Sequence, residues 1–203
     1  FHLAAQPLVL ESYKDPVGTF DTNVVGTAKV LEAARTCSSL KLVSVITTDK
    51  VYRNENTGRR FIESDPLAGK DPYSASKVGT ESVVAAWQQI VAVQGGPKIV
   101  SVRAGNVIGG GDFAENRIIP DLIRGIMNGD TVEIRSPHST RPWQHALDPI
   151  CGYIQALEYG LNGGEVKHFN FGPKESSLTV ENVIEVFKEE FGSKLILEKS
   201  KSR

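Results

Sequence analysis

Apolar positions along this chain fall into two textures: short unbroken runs, and longer stripes with a helical period. The run 41–47 holds Leu42, Val43, Val45 and Ile46. Near-continuous β-branched content of that kind suits a central parallel strand, covered on both faces. Residues 98–102 read the same way. Between the two, Asp71 can cap a helix and Pro72 suits its first position, so the periodic run behind them predicts a helix over 72–94. Gln94-Gly95-Gly96-Pro97 ends it. Upstream, Asp15-Pro16 is a second cap and first-position proline. Val17, Phe20, Val24, Ala28 and Leu31 follow a helical period to about Arg35. Phe1-His2-Leu3-Ala4-Ala5 reads as the end of a buried strand entering a loop. Helix, strand, helix, strand is the order of a doubly wound α/β sheet.

The texture changes after the glycine-rich stretch Arg103 to Asp112. Ile118, Ile119, Leu122, Ile123 and Ile126 form a helical stripe that stops near Gly129. A short strand is expected over 131–135, then the polar and aromatic loop Arg141-Pro142-Trp143-Gln144-His145. Ile150, Tyr153, Ile154 and Leu157 form another stripe, ended by Asn162-Gly163-Gly164. A strand over 166–171, a helix capped by Thr179 with Gly192 as its stop, and a strand begun by Leu195-Ile196-Leu197 complete the chain. Residues 1–112 read as part of a Rossmann-type sheet domain, and 113–203 mostly as a smaller interwoven α/β lobe that binds substrate. The abrupt ends read as an internal piece of a larger protein, or a truncated form.

Composition narrows the function. The 203 residues are 40% hydrophobic, enough for a sizeable core. A net charge of −1 disfavours nucleic acid or an anionic membrane surface as main partner. No apolar run approaches the ~20 residues of a membrane span, and nothing resembles a signal peptide. Cys37 and Cys151 form no scaffold, which points to a reducing cytoplasm. His2, His138, His145 and His168 lack ligand spacing, so no metal is expected.

The candidate chemistry sits in two places. Tyr73 and Lys77 are four apart, so both leave one face of the 72–94 helix. An ammonium beside a phenol favours the phenolate and makes the tyrosine a candidate base. Taken alone, such a pair is also a common solvated one. Thr48-Asp49-Lys50 lies where the 41–47 strand ends, and carboxyl ends of strands are where open α/β sheets bind ligands. Asp49-Lys50 alone could equally be a surface ion pair.

Taken together, His2-Leu3-Ala4-Ala5, Asn23-Val24-Val25-Gly26-Thr27, Thr48-Asp49-Lys50, Tyr73-x-x-x-Lys77, Arg103-x-x-Asn106-Val107-x-Gly109 and Arg141-x-Trp143-x-His145 resemble the extended short-chain dehydrogenase/reductase superfamily. This is the group of nucleotide-sugar epimerases and dehydratases. The acid followed by lysine after Thr48, with the 104–113 and 141–145 stretches, is similar to the CDP-glucose 4,6-dehydratase family. The family's G-x-x-G-x-x-G fingerprint is absent from the chain, as are about three strands before His2.

The resemblance implies NAD as cofactor, with His2, Ala4, Ala5, Gln6, Tyr73 and Lys77 lining its cleft and Asn23 in support. It implies a cytoplasmic hydro-lyase of deoxysugar and O-antigen synthesis acting on a nucleotide sugar. Tyr73 takes the 4-hydroxyl proton, oriented by Thr48, while hydride passes from C4 to NAD. Lys50 then removes the C5 proton, Asp49 protonates the leaving 6-hydroxyl, and hydride returns to C6. Asn106, Arg117 and Arg141 meet the diphosphate. A C4 epimerase, or a truncated module without turnover, are the other readings. An unpaired edge at the His2 strand predicts self-association, a homo-oligomer in the fullest case.

Overall fold

The computed structural model describes residues 1–165, 167–174 and 178–199. Contacts divide the chain into two compact units. The first is Phe1–Gly105 with Asp148–Phe171, and the second is Asn106–Leu147 with the described part of Gly172–Arg203.

The first unit is built on a parallel sheet of β1 (Leu42–Thr48), β2 (Lys98–Ala104) and β7 (His168–Phe171), in the order β1-β2-β7. The register runs from Leu42 beside Lys98 to Thr48 beside Ala104, so β1 and β2 end level. His2 extends the sheet beyond β1, through its N–H to the Ser44 carbonyl and its carbonyl to the Ile46 N–H. Helices cover both faces. Val43, Val45 and Ile99 pack with Leu31 of α3 (Gly26–Arg35) and Val84 of α4 (Pro72–Gln94). Val100, Val102 and Ala104 pack with Tyr153 and Ala156 of α6 (Leu147–Leu161). This is the partial doubly wound Rossmann-type sheet that the sequence pattern predicts. The expected strand over 166–171 is seen from His168. Val166 lies outside the described residues, as do residues 200–203 of the tail.

The α4 boundaries follow from its cap. Asp71 accepts from the Ser74 N–H at 2.9 Å while the Ser74 hydroxyl meets the Asp71 backbone, a closed capping box of which Asp71 is the part expected from sequence. Gly95, at φ 79°, ends the helix.

The 15–35 helix departs from expectation. It is three pieces: α2 (Pro16–Phe20), a π turn over Asp21–Val25, and α3. Its apolar positions Val17 and Phe20 are exposed, and Thr19, Asn23, Thr27 and Leu31 form the buried face. Three of those four are polar, and each is satisfied. Gln6 donates to the Thr19 hydroxyl, and the Thr27 and Thr80 hydroxyls donate to the Asn23 carbonyl. Hydroxyls that take up a helical carbonyl compete with its ladder bond, which suits a π turn at that point. Before α2, a short helix α1 (Val9–Lys14) occupies part of what reads as loop in the sequence.

In the second unit, β3 (Val107–Ile108) pairs parallel with β6 (Gln144–His145), β4 (Thr131–Ile134) pairs parallel with β9 (Ile196–Lys199), and β5 (Thr140–Arg141) pairs antiparallel with β8 (Leu178–Thr179). Its core joins Leu122 of α5 (Ile118–Asn128), Val132 and Ile134 of β4, and Val180 and Ile184 of α7 (Val180–Phe191). Thr179 caps α7 in a second capping box, with Asn182 as its partner. Trp143 packs against this core.

Candidate active site

Thr48, Asp49 and Lys50 leave β1 at its carboxyl end in a single 3₁₀ turn, Asp49–Val51. Thr48 caps that turn. Its hydroxyl oxygen accepts from the Lys50 N–H at 3.3 Å, and its O–H donates to Asp49 Oδ1 at 3.1 Å. Thr48 is buried, Asp49 half-buried and Lys50 exposed. The Lys50 ammonium lies 5.8 Å from the centroid of the Tyr73 ring, so the turn and the start of α4 meet. Burial of Val51 on one side and of Tyr52 beyond it anchors the turn.

Three contacts fix Tyr73. The Asp71 capping box starts its helix. Its N–H donates to the Ser12 hydroxyl of α1 at 3.1 Å, and Ser12 is fully buried. Its carbonyl accepts from Ser76, whose hydroxyl in turn accepts from the Asn23 carboxamide at 2.8 Å. Nothing in the sequence pattern singled out Ser12, which sits in a stretch read as loop. The approach to the helix is close-packed as well. A methyl group added to Gly69 would run into the Ala75 nitrogen and the Ser74 carbonyl carbon, both backbone. Gly69→Ala is therefore expected to cost about 1–3 kcal/mol through a shifted first turn of α4. Thermal melting checks this, and a melting temperature equal to the parent's would refute it.

Lys77 is 6% exposed, and its ammonium donates to the Ile46 carbonyl at 3.1 Å. Burial pulls its pKa down to about 8, against an upward pull from Glu81 one turn further along α4. That is the only hydrogen bond it makes among the described residues. An ammonium carries three donors, so this one retains donors suited to hydroxyl groups. His2 is half-buried, its Nε2 is 3.1 Å from the Thr27 hydroxyl, and burial followed by the Lys77 charge lowers its pKa. Asn23 grips both backbone groups of Gln6, accepting from its N–H at 2.8 Å and donating to its carbonyl at 3.1 Å. The Gln6 side chain itself is committed to Thr19 and the Leu8 N–H. Ala4 is exposed and Ala5 half-buried.

The candidate phosphate contacts belong to the second unit. Asn106 is half-buried and its carbonyl accepts from the Gln144 N–H. Arg117, just before α5, pairs with Asp112 at 3.0 Å. Arg141 donates to the neighbouring Thr140 carbonyl at 2.7 Å. Among the described residues no group of acidic, histidine or cysteine side chains is arranged to hold a metal, and no helix is long and apolar enough to cross a membrane.

Beneath the strand ends lies a polar core that residue spacing did not reveal. Glu81 and Arg103 are both buried and meet through two hydrogen bonds, Nε to Oε1 at 2.9 Å and a terminal nitrogen to Oε2 at 2.8 Å. Thr47 and Ser101 donate to the same carboxylate, and His168 Nδ1 stands 3.3 Å from it. Burial alone pushes Glu81 up, but hydrogen bonds from His168 and Arg103, the Arg103 charge and Thr47 outweigh it and hold the pKa at about 2. The one available sequence signal was position: Glu81 follows Lys77 by one helical turn on the same face.

Residues 1–172 match the sequence pattern of the NAD dependent epimerase/dehydratase family. The CDP-glucose 4,6-dehydratase of Salmonella typhimurium is 44% identical over 193 residues, which are 91% of this chain and 54% of that protein. The chain thus spans about half the length of that relative. In structure it is similar to the UDP-glucuronic acid 4-epimerase of Bacillus cereus solved with UDP-glucuronic acid and NAD. The TM-score is 0.87 at 24% identity, over all of this chain and 62% of that one. It is also similar to the dTDP-glucose 4,6-dehydratase DesIV of Streptomyces venezuelae with NAD and TYD bound, at TM-score 0.83 and 24% identity over all of this chain and 60% of that one. At that identity the structures speak for the fold, and the match over 1–172 speaks for descent: the chain belongs to the NAD dependent epimerase/dehydratase family.

Proposed function

We propose that this chain carries the catalytic centre of an NAD-dependent nucleotide-sugar 4,6-dehydratase that converts CDP-glucose to CDP-4-keto-6-deoxyglucose. The observation that carries the reading is the meeting of the Asp49-Lys50 turn with Tyr73, the Lys50 ammonium 5.8 Å from the phenol ring. An acid and a base placed beside a tyrosine base suit water elimination. Epimerisation at C4 needs no leaving-group acid.

The residues take these roles. Thr48 orients the sugar 4-hydroxyl, and Tyr73 as phenolate takes its proton. Lys77 favours that phenolate by its charge and offers its remaining donors to the nicotinamide ribose. His2, Ala4, Ala5 and Gln6 line the same cleft, with Asn23 holding the Gln6 backbone. NAD, when bound, supplies hydride uptake at C4 and hydride return at C6, so the cycle is redox-neutral. The 4-ketone acidifies the C5 proton, which Lys50 removes, and Asp49 protonates the 6-hydroxyl so that it departs as water; as hydride returns to C6, the Lys50 ammonium gives a proton back to C5. The donor set of Lys77 fits a ribose, because a buried ammonium is costly unless its donors are used. Asn106, Arg117 and Arg141 serve the diphosphate, a role that rests on the resemblance and on the guanidinium fork. The first unit is the NAD-binding part and the second the substrate lobe. The 44% identical dehydratase supports CDP-glucose as the substrate.

The test is incubation of the full-length protein that carries these residues with NAD and CDP-, dTDP-, UDP- or GDP-glucose. Loss of one water by mass and a new C6 methyl signal by NMR are expected with CDP-glucose. A C4 epimer as sole product sinks the reading. A pH profile gives a second check. Lys77 acts as a cation, so with its pKa at about 8 turnover is expected to fall as pH rises through that value. A profile flat to pH 10 would remove Lys77 from the role.

A further inference from the structure

We propose that Tyr52, Arg103 and Glu81 form a positioning bridge that fixes the turn bearing Lys50 against the helix bearing Tyr73 and Lys77. The inference deepens the dehydratase reading and rests on it for the chemical roles of Lys50 and Tyr73.

Each link is a hydrogen bond between buried groups. Tyr52 lies two residues beyond Lys50 and is 3% exposed. Arg103 at the end of β2 donates to its hydroxyl oxygen at 2.7 Å, and the guanidinium carbon sits 5.2 Å from its ring centroid. The same guanidinium holds Glu81 of α4 through both carboxylate oxygens. Glu81 in turn accepts from Thr47, the residue before Thr48, at 2.5 Å. Arg103 is thus bonded both to the segment after Lys50 and to the helix one turn beyond Lys77.

The Tyr52 hydroxyl both accepts and donates, because it also donates to Asn170 Oδ1 at the end of β7 at 2.7 Å. Backbone bonds bracket the residue, from the Ala68 N–H to the Val51 carbonyl and from the Arg53 N–H to the Pro66 carbonyl. The ring stacks on Phe61 with centroids 4.8 Å apart. A residue needed only to fill space here would not require that hydroxyl. Its bond to Arg103 sets how far the Lys50 turn stands from α4, and a displacement of the order of 1 Å in such a group costs about 100-fold in rate.

Tyr52→Phe removes the hydroxyl and keeps the ring, its stack and its contact with the guanidinium. Two readouts on the full-length protein separate the bridge from the activity. The first needs no substrate: lysines are labelled by reductive ¹³C-methylation, and the Lys50 signal is assigned with Lys50→Arg. With the ammonium 5.8 Å from the Tyr73 ring centroid, the ring current is expected to displace that signal in the parent, and Tyr52→Phe to move it toward the exposed-lysine position. An unmoved signal overturns the bridge.

The second readout is deuterium entry at C5 during turnover of CDP-glucose in D₂O, compared with single-turnover oxidation at C4. Tyr52→Phe is expected to slow C5 exchange about tenfold or more and to leave C4 oxidation unchanged. Equal slowing of both steps, as a general loosening would give, overturns the bridge as well. A Lys50 signal that moves in a protein yielding no keto product sinks the dehydratase reading and leaves the bridge standing.

Discussion

Replacing Arg103 by alanine is expected to cost about 3–5 kcal/mol of folding stability, the range for removing one partner of a buried ion pair. For a chain of this length that is a fall of about 6–20 °C in melting temperature. The reason is the carboxylate left behind. Glu81 is 3% exposed, and in the parent two of its strongest partners are the Arg103 nitrogens. Without them burial keeps its full upward pull on the Glu81 pKa while His168, Thr47, Ser101 and the Lys77 charge remain to oppose it.

The pH dependence gives the sign. In the parent the folded pKa of about 2 lies below the ordinary 4.5. The stability Glu81 contributes is therefore complete above pH 4.5 and is lost as pH falls toward 2. In Arg103→Ala the pKa is higher, so the variant regains protons earlier and its deficit narrows on acidification. A deficit that widens with acid would show that the guanidinium was not neutralising Glu81. The pair also predicts non-additivity. Glu81→Leu with Arg103→Met removes both charges and is expected to melt above either single variant, because no buried charge is left unpaired.

This polar core marks the limit of what the sequence makes legible. The strands 41–47 and 98–102 and the helix from Pro72 are readable because their apolar runs and caps act locally, and local forces leave local patterns. The structure agrees to within a residue or two at those ends. The Tyr73, Lys77 and Thr48-Asp49-Lys50 motifs are equally local, and the chain brings them together as their places on helix and strand end imply. The buried face of the 16–35 segment is different. Beside Leu31, which its apolar stripe marks, it holds Thr19, Asn23 and Thr27, residues that read as surface and are buried because they find partners: Gln6 for Thr19, and Thr80 and Ser76 for Asn23. Periodicity instead picks Val17 and Phe20, which face outward. Glu81, Ser101 and His168 are hidden for the same reason, since each is polar, and only the register of β1, β2 and β7 beside α4 makes them neighbours.

Tyr73→Phe is expected to lower turnover by about 10²–10⁴, the usual worth of a positioned general base, with little change in melting temperature. The geometry separates the two effects. Backbone contacts help place this residue: its N–H to Ser12, its carbonyl to Ser76, and the capping box before it. Phenylalanine keeps all of these and the ring facing Lys50, so the fold does not register the change and the chemistry does. On the proposed roles the loss is expected at the first step, removal of the 4-hydroxyl proton. The later step remains equipped, because Asp49 and Lys50 sit on a separate turn held by Thr48. A substrate supplied already oxidised at C4 bypasses Tyr73, and with it the variant is expected to exchange the C5 proton at the parental rate. Lys50→Met should behave in the opposite way, with C4 oxidation retained and C5 exchange lost. If Tyr73→Phe instead abolishes C5 exchange on the 4-keto sugar, the division of labour between the α4 face and the Asp49-Lys50 turn is wrong, and the phenol serves elimination as well.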